Sequence, residues 1–299
     1  MRVGIVGLGA MGMGAAQSCV RAGLETVGCD LSADARAAFE AAGGAAVSSV
    51  AEMGHLDAVM ILVVNAAQTE AVLFGENGLA EKLPKGAVVL AGATTAPEYP
   101  PTVAARLEAL GLQFIDAPVS GGAAKAMAGS MTIMAAGSGA AFQKGGALLD
   151  AIAEKVYKIG DTPGQGATIK MINQLLAGVH IAAMAEAFAL ASRAGADLET
   201  VYEVISNSAG GSWMFQNRGQ SIVDGDYAPK SAVDIFVKDL GIVLDSGRSM
   251  TFPLPLSAAA HQQFLAASAG GLGRENDSAV VKVFQKLTGI DLPTTETSE

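Results

Sequence analysis

Cysteine is nearly absent from the 299 residues: Cys19 and Cys29 are the only two. They are too few for a disulfide framework and lack the spacing of metal ligands, so both read as core fillers of a protein from a reducing compartment, and no metal site is expected. Positive charge is scarce as well. With 19 Lys plus Arg against 29 Asp plus Glu, the formal charge is -10, and the mean field repels phosphate backbones and anionic lipid. Neither nucleic acid nor membrane is an expected partner, and any small anion must be held by a local device. Long unbroken apolar runs are missing too. The run that follows Arg2 is interrupted by Gly4, Gly7, Gly9, Gly12 and Gly14, which argues against a signal sequence. The stretch 177–191 carries His180 and Glu186 and is short for a membrane span. A soluble cytoplasmic protein is expected.

What the chain does have is apolar mass. Hydrophobic residues make up 51% against 16% charged, enough for sizeable cores, and the length points to two domains. The first 160 residues alternate β-rich runs (2–6, 26–30, 58–63, 87–91, 113–117, 131–136 and 156–159) with Ala-rich helical stretches such as 12–22 and 33–42. That alternation predicts an α/β fold: a doubly wound, mostly parallel sheet of Rossmann type, which binds ligands at the carboxyl ends of its strands. Past Gly160 no further strand is expected. Residues 164–193 lack proline and predict one helix of ~45 Å. It is apolar nearly all round over 177–191, which implies burial on several sides, between domains or against another subunit. The remainder reads as a helical bundle punctuated by Gly210-Gly211, Pro229 and Pro253-Leu254-Pro255. The expected division is 1–163 for a cofactor domain, 164–293 for the long helix and an all-α domain, and 294–299 for a polar tail.

Gly7, Gly9 and Gly12, with Leu8, Ala10 and Met11 between them, form G-x-G-x-x-G directly after a strand and at the opening of a helix. The first glycine permits the tight turn, the second the approach of a pyrophosphate, and the third close helix–strand packing. The helix N-terminus supplies the positive end that an acidic protein lacks. Asp30, 18 positions after Gly12 and followed by Leu31, stands where a carboxylate accepts from a ribose 2′-OH and repels a 2′-phosphate, which favours NAD over NADP. Val64-Asn65 and Thr94-Thr95 follow two further strands. They face the nicotinamide ribose or merely stabilise their own turns.

Asp116-Ala-Pro-Val-Ser120-Gly121-Gly122 carries a strand into a turn whose amides and hydroxyl suit a carboxylate, although an ordinary strand-to-helix turn reads the same way. In Gly164-Gln-Gly166-Ala-Thr-Ile-Lys170-Met-Ile-Asn173-Gln174, Lys170 shares a helix face with Asn173, Gln174 and Ala177. Desolvation in a cleft would suit that lysine to proton transfer. For Lys238-Asp239, spacing alone favours an exposed pair without function.

Together, Gly-Leu-Gly-Ala-Met-Gly at 7–12, Asp-Ala-Pro-Val-Ser-Gly-Gly at 116–122, Gly164-x-Gly166-x3-Lys170-x2-Asn173 and Lys238-Asp-Leu-Gly241 resemble the four signatures of the β-hydroxyacid dehydrogenase family, that of 3-hydroxyisobutyrate dehydrogenase. The resemblance runs from residue 1 to about 290 and implies NAD-dependent oxidation of a small hydroxy acid by a homodimer or homotetramer. By position it makes Lys170 the catalytic lysine. Ser120, Gly121, Gly122 and Asn173 become substrate contacts, Lys238 a lysine near substrate and nicotinamide, and Asn65 and Thr94 cofactor contacts. Gln174 stands where hydroxyisobutyrate enzymes commonly carry a second Asn. That departure argues for a differently shaped, more polar pocket, and the segments 63–68, 170–180, 212–215 and 231–238 resemble those of sugar-acid dehydrogenases of the family. A reductase of the same family working in the opposite direction stays open. A non-catalytic dinucleotide-binding module would need no Lys170.

Overall fold

Strand β1 (Arg2–Val6) forms where the chain opens on a β-branched run, and it lies in the interior of the sheet, buried over Val3–Val6. The computed structural model describes residues 1–228 and 230–294; of the expected polar tail, 295–299 lie outside the described residues, as does Pro229. After β1 come α1 (Ala10–Arg21), β2 (Glu25–Cys29), α2 (Ala33–Ala41), β3 (Ala45–Val47), β4 (Ala58–Ile61), α3 (Ala66–Phe74), β5 (Val88–Ala91), α4 (Tyr99–Ala109) and β6 (Gln113–Asp116). The order β3-β2-β1-β4-β5-β6 is parallel throughout. This is the doubly wound arrangement.

The edge beyond β6 is mixed. β7 (Val119–Ser120), α5 (Gly122–Met127), β8 (Met131–Gly137), α6 (Gly139–Ile152) and β9 (Ala153–Gly160) follow. β8 runs antiparallel to both β6 and β7 and parallel to β9. β3 and β7, of three and two residues, escaped the periodicity reading because neither is long enough to show an alternation. The other strand ends agree within one to three residues.

Side chains alternate between two cores, as a pleated sheet requires. Val3, Ile5, Ala58, Met60, Val88 and Leu90 pack on one face; Val6, Val59, Ile61 and Val89 pack on the other, with Leu73 of α3 and Val103 and Leu107 of α4. α1 is built from small residues because it touches α5 almost backbone to backbone. A Cβ on Gly14 would strike the Ala126–Met127 peptide, and Ser18 Oγ donates to the Ala126 carbonyl at 3.2 Å. Two loops follow from that contact: the glycine turn before α1 and the Ser-Gly-Gly turn before α5 are carried by a helix pair that cannot slide apart.

The chain divides into two compact units, Met1–Met171 and Ile172–Glu299. The division falls inside the long helix α7 (Gln165–Arg193). By length and composition α7 would pass for a membrane span. In the second unit it is followed by α8 (Leu198–Ser206), α9 (Trp213–Val223), α10 (Val233–Ser249), α11 (Pro255–Ala267) and α12 (Val281–Thr288). Ile181, Met184, Ala185 and Phe188 of α7 enter the core of that bundle, where Phe188 stacks on Phe215 with centroids 5.2 Å apart. Ala183, Glu186, Ala187 and Leu190, on the other side of the helix, are exposed in the single chain.

Candidate active site

The three fingerprint glycines do three different jobs. Gly7 has φ +88°, and a Cβ there would sit 2.7 Å from the Leu62 carbonyl. Only glycine makes that turn without strain. A Cβ on Gly12 would fall within the Gly7 carbonyl oxygen, so the third glycine is a packing requirement. At Gly9 a Cβ would meet nothing within 4 Å. Its empty side faces a cleft of about 570 Å³ that gathers Gly7, Gly9, Asp30, Leu31 and Val64 at the carboxyl ends of β1, β2 and β4. Gly9 also caps α1 without a side chain, and no acid occupies the first turn of that helix. An open backbone at the positive end of a helix is the cradle that a pyrophosphate needs.

Asp30 has a second task that spacing did not reveal. Its Oδ2 accepts from the Leu8 amide at 2.6 Å and its Oδ1 from the Ser32 amide at 2.8 Å. A carboxylate has room for about four hydrogen bonds, so acceptor sites remain for a ribose while the existing bonds fix the glycine turn. Leu8 itself is buried, with Ala10 exposed and Met11 half-buried. Leu31 is 91% exposed at the rim. Arg36 donates to the carbonyls of Asp30 and Leu31, another neighbour that spacing did not single out.

The same cleft is lined by Cys29, Ser48, Ser49, Val50 and Gln68. Ser48 and Ser49 follow β3, which at three residues is too short to show a period in the sequence. Burial, with the charges of Asp30 and Glu52, pushes the Cys29 thiol up to about 11. Asn65 turns out to be the side-chain cap of α3: its Oδ1 accepts from the Gln68 amide at 2.9 Å, while Gln68 Oε1 accepts from the Val64 amide at 2.8 Å. This reciprocal pair leaves the Asn65 Nδ2 donors for other use. Thr94 is half-buried beyond β5 and is not among the residues lining this cleft.

Beyond β7, Gly121 and Gly122 have φ +125° and +74°. Two successive positive φ values after a strand dictate glycine and turn the backbone sharply at Ser120, which is half-buried. Lys170, in the second turn of α7, is 8% exposed. Next to it in sequence, but within the second unit, lies a connected polar chain. Asn173 Nδ2 donates to Gln174 Oε1 at 2.9 Å, Gln174 Nε2 donates to Asp239 Oδ2 at 2.5 Å, and Lys238 Nζ meets Asp239 Oδ1 at 2.6 Å. Asp239 is 1% exposed, so the pair that spacing placed at the surface is anchored in the interior. α7 and α10 come this close because a side chain on Gly178 would strike Leu240.

Comparison with known proteins agrees with this geometry. The family described as the NAD binding domain of 6-phosphogluconate dehydrogenase matches residues 2–160. The one described as NAD-binding of NADP-dependent 3-hydroxyisobutyrate dehydrogenase matches 164–284. An L-threonate dehydrogenase from Escherichia coli O6:H1 is 55% identical, covering 97% of this chain and 96% of its own. A 2-(hydroxymethyl)glutarate dehydrogenase from Eubacterium barkeri is 35% identical, covering 98% and 97%. Among solved structures, a 3-hydroxyisobutyrate dehydrogenase from Salmonella typhimurium is 55% identical with a TM-score of 0.90, covering 95% of this chain and 99% of its own. With a doubly wound cofactor unit, a glycine cradle on its helix and a buried lysine at the head of α7, the chain belongs to the β-hydroxyacid dehydrogenase family and is an NAD-dependent hydroxy-acid dehydrogenase.

Proposed function

We propose that the protein oxidises L-threonate to 2-oxo-tetronate. The observation that carries this reading is the 55% identity, over 97% of the chain, to a dehydrogenase named for that acid. The polar chain Asn173–Gln174–Asp239–Lys238 supports it, because a site lined by held amide and ammonium groups suits a polyhydroxylated substrate better than a branched aliphatic one. Hydroxyisobutyrate is the second reading, favoured by the name of the Salmonella structure at the same identity.

In this reading the carboxylate of the acid rests on the Gly121 and Gly122 amides and the Ser120 hydroxyl, with Asn173 and Lys238 holding its other oxygens. Asp30 orients the cofactor ribose, and Gly7, Leu8, Gly9, Ala10, Met11 and Gly12 form the turn for its pyrophosphate. Leu31, Val64, Asn65 and Thr94 complete the cofactor contacts. Bound NAD⁺ supplies the acceptor for the hydride lost from the carbinol carbon. Lys170 takes the hydroxyl proton as that carbon becomes a carbonyl, and its burial keeps water from competing for the same position. Residues 1–163 serve the cofactor, and 164–293 complete the substrate side and the contacts between identical subunits of a cytoplasmic homodimer or homotetramer. The exposed Ala183, Ala187 and Leu190 suit such a contact.

The test is NAD⁺ reduction across L-threonate, D-erythronate, D-glycerate, 3-hydroxyisobutyrate and L-serine, with wild type and Lys170→Ala. L-threonate is expected to give the highest kcat/KM. The variant should bind NAD⁺ normally and lose roughly 10²- to 10⁴-fold in turnover, the usual worth of general acid–base help. Turnover of hydroxyisobutyrate alone overturns the substrate, and near-normal turnover by Lys170→Ala overturns the role of the lysine.

A further inference from the structure

Most helices of this protein that carry a side-chain cap take it from the residue just before them: Ser32 for α2, Asn65 for α3, Ser138 for α6, Asp197 for α8 and Ser212 for α9. α7 differs. The residue before it is Gly164, which has no side chain to offer, and the acceptor comes from a distant strand. Asp116 Oδ2, at the end of β6, accepts from the amides of Gly164 at 2.9 Å and Ala167 at 2.8 Å. Those partners are 48 and 51 residues away.

The approach is tight on every side. Gly164 has φ +99°, and a Cβ there would lie 2.6 Å from the Pro97 carbonyl. A Cβ on Gly166 would run into the Met134 carbonyl and lie 3.0 Å from Asp116 Oδ2. Both glycines of the Gly-x-Gly segment are therefore required for the first turn of α7 to sit down on the carboxylate. Asp116 is 2% exposed, and desolvation raises its carboxyl to about 6 despite three backbone donors. A serine cap at a surface would cost less. The chain that continues from Asp116 reaches Ser120, Gly121 and Gly122 within six residues, and the helix that starts on Asp116 reaches Lys170 one turn later.

We infer that Asp116 is the positioning residue for Lys170: its carboxylate clamps the first turn of α7 to the end of β6 and so fixes the lysine relative to the Ser120–Gly122 turn. It touches neither the acid nor the cofactor. The inference rests on the role proposed for Lys170. Its consequence is that loss of the clamp lowers kcat and leaves cofactor affinity alone, because the cleft at β1, β2 and β4 contains no part of it.

The experiment compares wild type, Asp116→Ala, Asp116→Asn, Asp116→Glu, Lys170→Ala and the cap control Ser138→Ala, on whichever hydroxy acid the wild type oxidises best. It reads kcat per folded molecule, KM for NAD⁺ and deuterium exchange of the segment 164–172. Asp116→Ala is expected to lose roughly 10²-fold in kcat, the scale of a misplacement of about 1 Å. Its KM for NAD⁺ should stay within about twofold, with exchange at 164–172 faster by roughly tenfold. Asp116→Asn keeps an acceptor oxygen in place and should recover most of both. Should Asp116→Ala fail to fold, Asp116→Glu carries the test: it keeps the charge but pushes the turn outward, and the same kcat loss is expected. Ser138→Ala should lose stability without losing kcat. Normal kcat in folded Asp116→Ala or Asp116→Glu, or unchanged exchange at 164–172 in Asp116→Ala, overturns the inference alone. Normal turnover in Lys170→Ala overturns it together with the role of the lysine.

Discussion

At the scale of single residues, two carboxylates do more than their place in the sequence announced. Asp30 could be read as a ribose ligand from its position at the end of a strand, but its hold on the Leu8 amide could not, because that bond joins two loops 22 residues apart. Asp30→Ala is therefore expected to act twice. Removing charge-assisted hydrogen bonds worth about 1.5–3 kcal/mol should raise the KM for NAD⁺ by at least about tenfold and narrow the preference over NADP⁺. The melting temperature should drop as well, since the Leu8 and Ser32 amides lose their acceptor. Kinetics with both cofactors and a thermal melt check the two effects separately. Asp239 was invisible to spacing because a Lys-Asp step on a helix looks the same at a surface and in a core. Gln174→Leu leaves its Oδ2 buried and unpaired, at a cost of about 1–3 kcal/mol, and releases the Asn173 amide. A lower denaturant midpoint and a higher KM for the acid, with the KM for NAD⁺ unchanged, are the expected readouts.

At the scale of elements, the glycine turn gives the sharpest contrast. Gly12→Ala places a methyl group inside a carbonyl oxygen and should prevent α1 from docking, with a stability loss above about 3 kcal/mol. Gly9 has φ −67° and open space around its Cβ position. Gly9→Ala should thus melt within a few degrees of wild type yet bind NAD⁺ more weakly by roughly an order of magnitude; isothermal titration on the folded variant measures it. Long alternating runs made the parallel sheet legible in the sequence, and the absence of proline did the same for α7. What stayed hidden were elements too short to have a period and contacts that depend on the third dimension. With β3 went Ser48 and Ser49 in the cofactor cleft. Nothing in the spacing of Gly164 and Gly166 shows that their task is to let a helix end meet Asp116.

At the scale of the whole molecule, the buried acid sets a pH dependence. Asp116 is raised by desolvation from 3.8 to about 6 in the folded state. Between those values the folded protein keeps a proton that the unfolded chain has released, so this group's contribution to stability falls as pH rises from about 4 to 6. Above that window the deficit levels off near 3 kcal/mol, from about 1.4 kcal/mol for each pH unit. Asp116→Asn removes the window. Between pH 4.5 and 7 the denaturant midpoint of wild type should move further downward, or rise less, than that of the variant, and equal changes would count against the assignment. Asp277, also raised by burial beside Arg218, acts in the same sense in both proteins and cancels in the comparison. Burial pushes Cys19 up to about 12 and Cys29 to about 11. At neutral pH Cys29 is therefore held as the thiol and not as the thiolate, the form that alkylating reagents and oxidants attack. Although Cys29 lines the floor of the cofactor cleft, the fold keeps it chemically silent, so turnover should not depend on the redox state of the surroundings.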